Sequence, residues 1–103
     1  VSLSAVEALS AELWPSLVTI VVSVPDARKG EKLVLLTTDK TLARDQFQRH
    51  VKAKGVSELN VPAEILVVDH IPLLGSGKPD YVSATKLVKE SLAQRPAKPV
   101  ALV

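Results

Sequence analysis

The spacing of apolar and polar positions changes several times along this chain, and each change marks an element. Val6, Leu9 and Leu13 recur at helical spacing, and Ser4-Ala5-Val6-Glu7 has the Ser-x-x-Glu form of a capping box. A short helix is therefore predicted over residues 5–13, with Pro15 blocking its continuation. Residues 17–24 are dense in β-branched side chains and read as a strand buried on both faces or nearly so. Pro25-Asp26-Ala27-Arg28-Lys29-Gly30 is punctuated as a turn, and residues 32–38 read as the returning strand of a hairpin.

Helical spacing resumes over residues 41–54. Ala43, Phe47 and Val51 share one face, Arg44, Gln48, Arg49 and Lys52 fall largely elsewhere, and Gly55 stands where a helix ends. Residues 63–69, introduced by Pro62, read as a third strand. Ala84, Leu87, Val88 and Leu92 form the stripe of a last helix, capped by Asp80 or Ser83. Residues 95–103 hold two prolines and no period, and read as a loose tail. The order α-β-β-α-β-loop-α implies a small α+β domain: a short sheet, made of a hairpin plus a third strand, flanked by about three helices.

Composition supports a folded domain and removes several function classes. The 103 residues are 47% hydrophobic and 23% charged with a net charge of +2, which suits one domain with a modest core and excludes disorder. No apolar run approaches the roughly 20 residues of a membrane-spanning helix, and no signal peptide is recognisable. The absence of cysteine excludes disulfides and thiolate chemistry and fits the cytosol. The chain has no methionine, even at position 1, and reads as a piece of a longer protein. Only Trp14, Phe47 and Tyr81 could stack on bases, and none lies in a recognition run, so nucleic-acid binding is not expected. His50 and His70 have no partner at ligand spacing, so no metal site is expected. Trp14 reads as an anchor where the first helix meets the first strand.

The candidate chemistry lies in residues 71–80, Ile-Pro-Leu-Leu-Gly-Ser-Gly-Lys-Pro-Asp. Gly75 and Gly77 allow positive φ and close approach to a ligand, Pro72 and Pro79 stiffen the ends, and Lys78 is a point charge suited to an anion. A phosphate-binding P-loop is excluded, because Pro72 stands where its first glycine belongs and Pro79 replaces its Ser or Thr. Ser76 lacks the strand–turn–helix setting of a nucleophile elbow.

Ile71-Pro72-Leu73-Leu74-Gly75-Ser76-Gly77-Lys78 resembles the C-terminal signature of the adenylate-forming enzymes, hydrophobic-Pro-x-x-x-x-Gly-Lys. This family comprises acyl-CoA and acyl-carrier-protein synthetases, luciferases and peptide synthetases. Three further blocks agree in order and spacing. Val1-Ser2-Leu3-Ser4-Ala5-Val6-Glu7 is similar to the family's Ile-x-Pro-x-Glu-Ile-Glu, and Val24-Pro25-Asp26 with Gly30-Glu31 to its Val-Pro-Asp…Gly-Glu turn. Val61-Pro62 with Val68-Asp69-His70-Ile71-Pro72 is similar to its Pro…Val-Asp-x-Leu-Pro segment. The departures are Leu3 for Pro, Ala5 for Glu, and Pro79-Asp80 for Ile and a basic residue. Within the family, the form of the loop and Asn60-Val61-Pro62 most resemble the bifunctional synthetases that charge acyl carrier protein and reacylate a lysophospholipid.

The resemblance implies that residues 1–95 are the mobile C-terminal domain of an AMP-forming acyl ligase and that 96–103 are a flexible tail. Lys78 would be the adenylation lysine, with Gly75, Ser76 and Gly77 the loop that brings it to nucleotide and substrate. Gly30, with Arg28 and Lys29, would lie near the thiol tunnel or the carrier. The full enzyme would use ATP and Mg²⁺ on a fatty acid and pass the acyl group to CoA or acyl carrier protein. Its adenylation domain would lie upstream in the same chain, and the isolated C-terminal domain would bind no cofactor and be inactive. A cytoplasmic location is implied, with inner-membrane association of the full enzyme as the alternative. Plainer readings stand beside these: a solvated loop lysine for Lys78, a hairpin glycine for Gly30, and solvated surface for Arg28, Lys29, Arg44, Arg49 and Lys52. The competing function is a non-catalytic module that docks a carrier protein through its basic helix.

Overall fold

Alternating side chains along the first strand face opposite sides of one sheet, and a helical layer covers each side. In a computed structural model, residues 2–28 and 30–94 are described. Helix α1 (Leu3–Leu13) leads into strands β1 (Ile20–Asp26) and β2 (Gly30–Thr37), then helix α2 (Arg44–Lys54), a 3-10 turn (Glu58–Asn60), strand β3 (Glu64–Val67) and helix α3 (Tyr81–Ala93). The sheet order is β1-β2-β3, with β1 and β2 antiparallel and β2 and β3 parallel. This is the α+β domain that the sequence implies.

Val21 and Leu35 point to one side of the sheet, where they pack with Val6 and Leu9 of α1, Phe47 and Val51 of α2, and Val61. Ile20, Val22, Val24, Val34 and Leu36 point to the other, against Ala84 and Val88 of α3. Two cores thus share one sheet, which is why β1 is buried on both faces. Trp14 joins the first core, its ring 6.1 Å from that of Phe47. The carboxylate of Glu12 links α1 to α2 by accepting from Lys54 at 2.8 Å and bonding His50 at 3.0 Å. Those two partners, Lys54 first, hold its pKa below the usual carboxylate value.

Several boundaries differ from expectation. The capping box at Ser4 does not form: α1 starts at Leu3, and the Ser2 hydroxyl accepts from the Ala5 N–H at 3.3 Å. β1 starts at Ile20, later than expected, and the Thr19 hydroxyl just before it is bonded to Ser10 of α1. The turn is shorter than residues 25–30, since Pro25 pairs with Glu31 inside the hairpin. β1 is an outermost strand, where proline is tolerated. α2 starts three residues late because Thr41 gives both its N–H and its hydroxyl to the Asp39 carboxylate. It ends as expected at Gly55, with φ +72°. β3 is limited to Glu64–Val67, and Asp80, not Ser83, caps α3. Val1, Lys29 and the tail over 95–103 lie outside the described residues.

Candidate functional site

The glycine loop folds as a miniature hairpin. Asp80 N–H donates to the Pro72 carbonyl at 3.0 Å, Leu73 pairs with Pro79, and Leu74 N–H donates to the Lys78 carbonyl at 2.7 Å. Gly77 N–H closes the tip on the Leu74 carbonyl at 2.8 Å. Gly77 has φ +89°, whereas Gly75 does not enter positive φ. This is the three-residue hairpin loop whose last residue is left-handed, so only Gly77 needs to be glycine for conformational reasons. The expectation that both glycines use positive φ is corrected accordingly.

Every residue from 73 to 78 is exposed. The Lys78 ammonium has no hydrogen bond or ion pair among the described residues. Leu73 and Leu74 stand beside it, 53% and 48% exposed. The result is a short braced tongue carrying one unpaired cation and two apolar side chains.

The two ends of the tongue are anchored. Ile71 packs against the α3-side core. At the exit, the Asp80 carboxylate accepts from Ser83 N–H at 3.1 Å and from the Ser83 hydroxyl at 2.7 Å, and the Ser83 hydroxyl foremost lowers its pKa. Next to it, the Tyr81 hydroxyl donates to both carboxylate oxygens of Glu7, at 2.7 and 2.8 Å. One of those oxygens also accepts the Val21 N–H at 2.8 Å. Burial, then the bond to Glu7 and its charge, push the Tyr81 phenol up to about 12.

Neither Glu7 nor Tyr81 stood out as a functional residue in the sequence. Glu7 matched a capping box and a family block, and its partner Tyr81 is 74 residues away. Local spacing carries no sign of such a pair.

Gly30 and Arg28 sit apart from the tongue. Gly30, φ +83°, pairs with Asp26 where the hairpin turns, and Arg28 is exposed there. Glu7 and Tyr81 are held at Val21, five residues earlier, or ~17 Å along the strand. Gly75, Ser76, Gly77 and Lys78 share the tongue, whereas Gly30 and Arg28 belong to the turn at the end of β1 away from Val21. Lys29 lies outside the described residues.

Much of the basic charge of α2 is engaged within the domain. Arg44 donates to the Pro62 carbonyl at 2.8 Å, Arg49 lies 3.6 Å from Asp45, and His50 and Lys54 meet Glu12. Among the described residues no group of three or more His, Cys, Asp or Glu could hold a metal ion. None of their helices is long and apolar enough to cross a membrane.

No family model matches the chain. Solved structures do. The chain is similar to the amide bond synthetase McbA from Marinactinospora thermotolerans at 27% identity and TM-score 0.66, covering 84% of this chain and 18% of that one. It has the fold of a segment of the Brucella canis acyl-CoA synthetase, at 23% identity and TM-score 0.72, over 89% of this chain and 18% of the other. Mycobacterium smegmatis MbtA matches at 20% identity and TM-score 0.72, over 82% and 16%. These neighbours are adenylate-forming enzymes, and the likeness supports that superfamily for this chain. The chain spans less than a fifth of the length of each.

Proposed function

We propose that this chain is the C-terminal domain of an AMP-forming fatty acyl ligase and that Lys78 supplies the adenylation cation. The single observation behind this reading is the braced, exposed tongue that presents an unpaired lysine at the signature position. When a carboxylate attacks the α-phosphate of ATP, negative charge collects on the phosphoryl and bridging oxygens. An ammonium brought to those oxygens in a water-poor cleft stabilises them more than it stabilises the ground state. Leu73 and Leu74 would help exclude water as the tongue enters the cleft of the upstream domain. ATP comes to this reading by way of the family, one of whose solved relatives is an ATP-bound MatB from Rhodopseudomonas palustris. The Mg²⁺ of the reaction would belong to the upstream domain and ATP, since the described residues form no metal cluster.

The second half-reaction, transfer to a thiol, falls on this reading to the Gly30 turn with Arg28 and Lys29. Its separation from the tongue along β1 suits a domain that rotates between two tasks. Leu73-Leu74-Gly75-Ser76-Gly77-Lys78-Pro79-Asp80 and Asn60-Val61-Pro62 favour one subgroup, the bifunctional acyl-carrier-protein synthetase/2-acylglycerophosphoethanolamine acyltransferases. The internal engagement of Arg44, Arg49 and Lys54 weighs against a purely carrier-docking module.

The test is Lys78→Ala in the full-length protein. ATP–pyrophosphate exchange should fall by roughly a hundredfold or more, the scale of losing one preorganised charge contact. Transfer from supplied acyl-adenylate should persist. Equal loss of both half-reactions would overturn the role given to Lys78.

A further inference from the structure

No described residue of the tongue between positions 73 and 78 is covered, so the direction of Lys78 is decided where the tongue joins the domain. On the exit side α3 begins, and its first buried residue is Ala84. Tyr81, Val82 and Ser83 are exposed, and the bonds from Asp80 to Ser83 stay within the same helix end. Those bonds shape the turn without fixing it to the rest of the molecule. The first side-chain hydrogen bond after Lys78 that reaches another element is that of the Tyr81 hydroxyl to Glu7. Glu7 is itself fixed, because its carboxylate also holds the Val21 N–H of β1.

We propose that Glu7 and Tyr81 form a positioning clamp that aims the Lys78 tongue, tying its exit to α1 and β1. This inference rests on the adenylation role proposed for Lys78. A hydroxyl shared by two carboxylate oxygens resists sideways displacement more than a single bond does. A carboxylate accepting from both a side chain and a strand amide transmits the sheet's rigidity to the tongue. Tyr81 is 40% exposed, so its packing alone is a weak hold. Neither residue touches the reacting atoms. Their effect is on where the ammonium stands, and displacement of about 1 Å in a charge-stabilising group is worth up to a hundredfold in rate.

The experiment compares Tyr81→Phe, Glu7→Gln, Lys78→Ala and Tyr81→Phe/Lys78→Ala in the full-length protein. Pyrophosphate exchange, transfer from supplied acyl-adenylate and the thermal midpoint are measured for each. Tyr81→Phe should lower kcat for adenylation about 10- to 100-fold, with KM for ATP and the transfer half-reaction little changed and the protein still folded at the assay temperature. Glu7→Gln keeps an oxygen that can accept from Tyr81 and should retain more activity than Tyr81→Phe. The double variant should be no slower than Lys78→Ala alone, because Tyr81 acts only through Lys78. Three outcomes overturn the clamp while leaving Lys78 in its role: wild-type adenylation in Tyr81→Phe, an additive loss in the double variant, or parallel loss of both half-reactions in Tyr81→Phe. Wild-type adenylation in Lys78→Ala would remove the parent reading and the clamp with it.

Discussion

Gly75 and Gly77 look equivalent in the sequence and differ in the fold. At Gly77 the backbone is left-handed, so an added Cβ is strained although no atom lies within 4 Å of it. At Gly75 there is neither strain of that kind nor a neighbour. Gly77→Ala is expected to strain the tongue by about 1–2 kcal/mol and to lower adenylation, whereas Gly75→Ala should leave the tongue's shape unaltered. Amide exchange at Leu74 and Gly77, with pyrophosphate exchange, would show the contrast. Tyr81 makes a second residue-scale prediction. Its phenol titrates near 10.0 when unfolded and at about 12 when folded, so as pH rises the unfolded chain loses this proton first. The stabilisation is therefore intact below pH 10 and is lost as pH climbs to about 12. Subtracting the denaturation profile of Tyr81→Phe from that of the parent isolates this contribution. Lys78 stands out in the sequence as a candidate because the glycines and prolines around it are its immediate neighbours. The Glu7–Tyr81 pair does not, because only the tertiary fold brings residues 7 and 81 together.

At the scale of elements, the pattern located α1 to α3, β1 to β3 and the last residues of α1 and α2, but not where those two helices begin. The starts of α1 and α2 are displaced by hydrogen bonds that Ser2 and Asp39 accept, short polar side chains that compete locally with the helix. The 3-10 turn Glu58–Asn60, held by Ser57, is too short to leave a period. Pro25 was read as punctuation, yet an outermost strand accommodates it. Packing, in contrast, follows the pattern closely. Phe47 lies at the centre of the core between α1, α2 and the sheet, with no exposed surface. Phe47→Ala should destabilise the domain by about 3–5 kcal/mol in chemical denaturation. Val82→Ala, on the open face of α3 where Val82 is 82% exposed, should change stability by less than about 0.5 kcal/mol.

For the whole molecule, the sequence offers a charge suited to an anion and no recognisable motif for nucleotide or acyl chain. The fold agrees with segments of less than a fifth of much longer enzymes. This chain alone is expected to fold and to release no pyrophosphate from ATP and fatty acid; release above background would refute the assignment of the remaining machinery to an upstream domain. What the sequence could not show was how far the hairpin turn lies from Val21, where Glu7 is held, and strand register supplies that. The same register has a consequence for how molecules meet one another. N–H groups of residues two apart on a strand point the same way, so those of positions 21, 23 and 25 share the outer edge of β1. A second copy could add a strand there only by using those donors. Val21 has given its own to Glu7, and Pro25 has none to give. Ser23 stands between them. The most apolar strand of the chain is thus closed to edge-to-edge association by one carboxylate and one imide nitrogen.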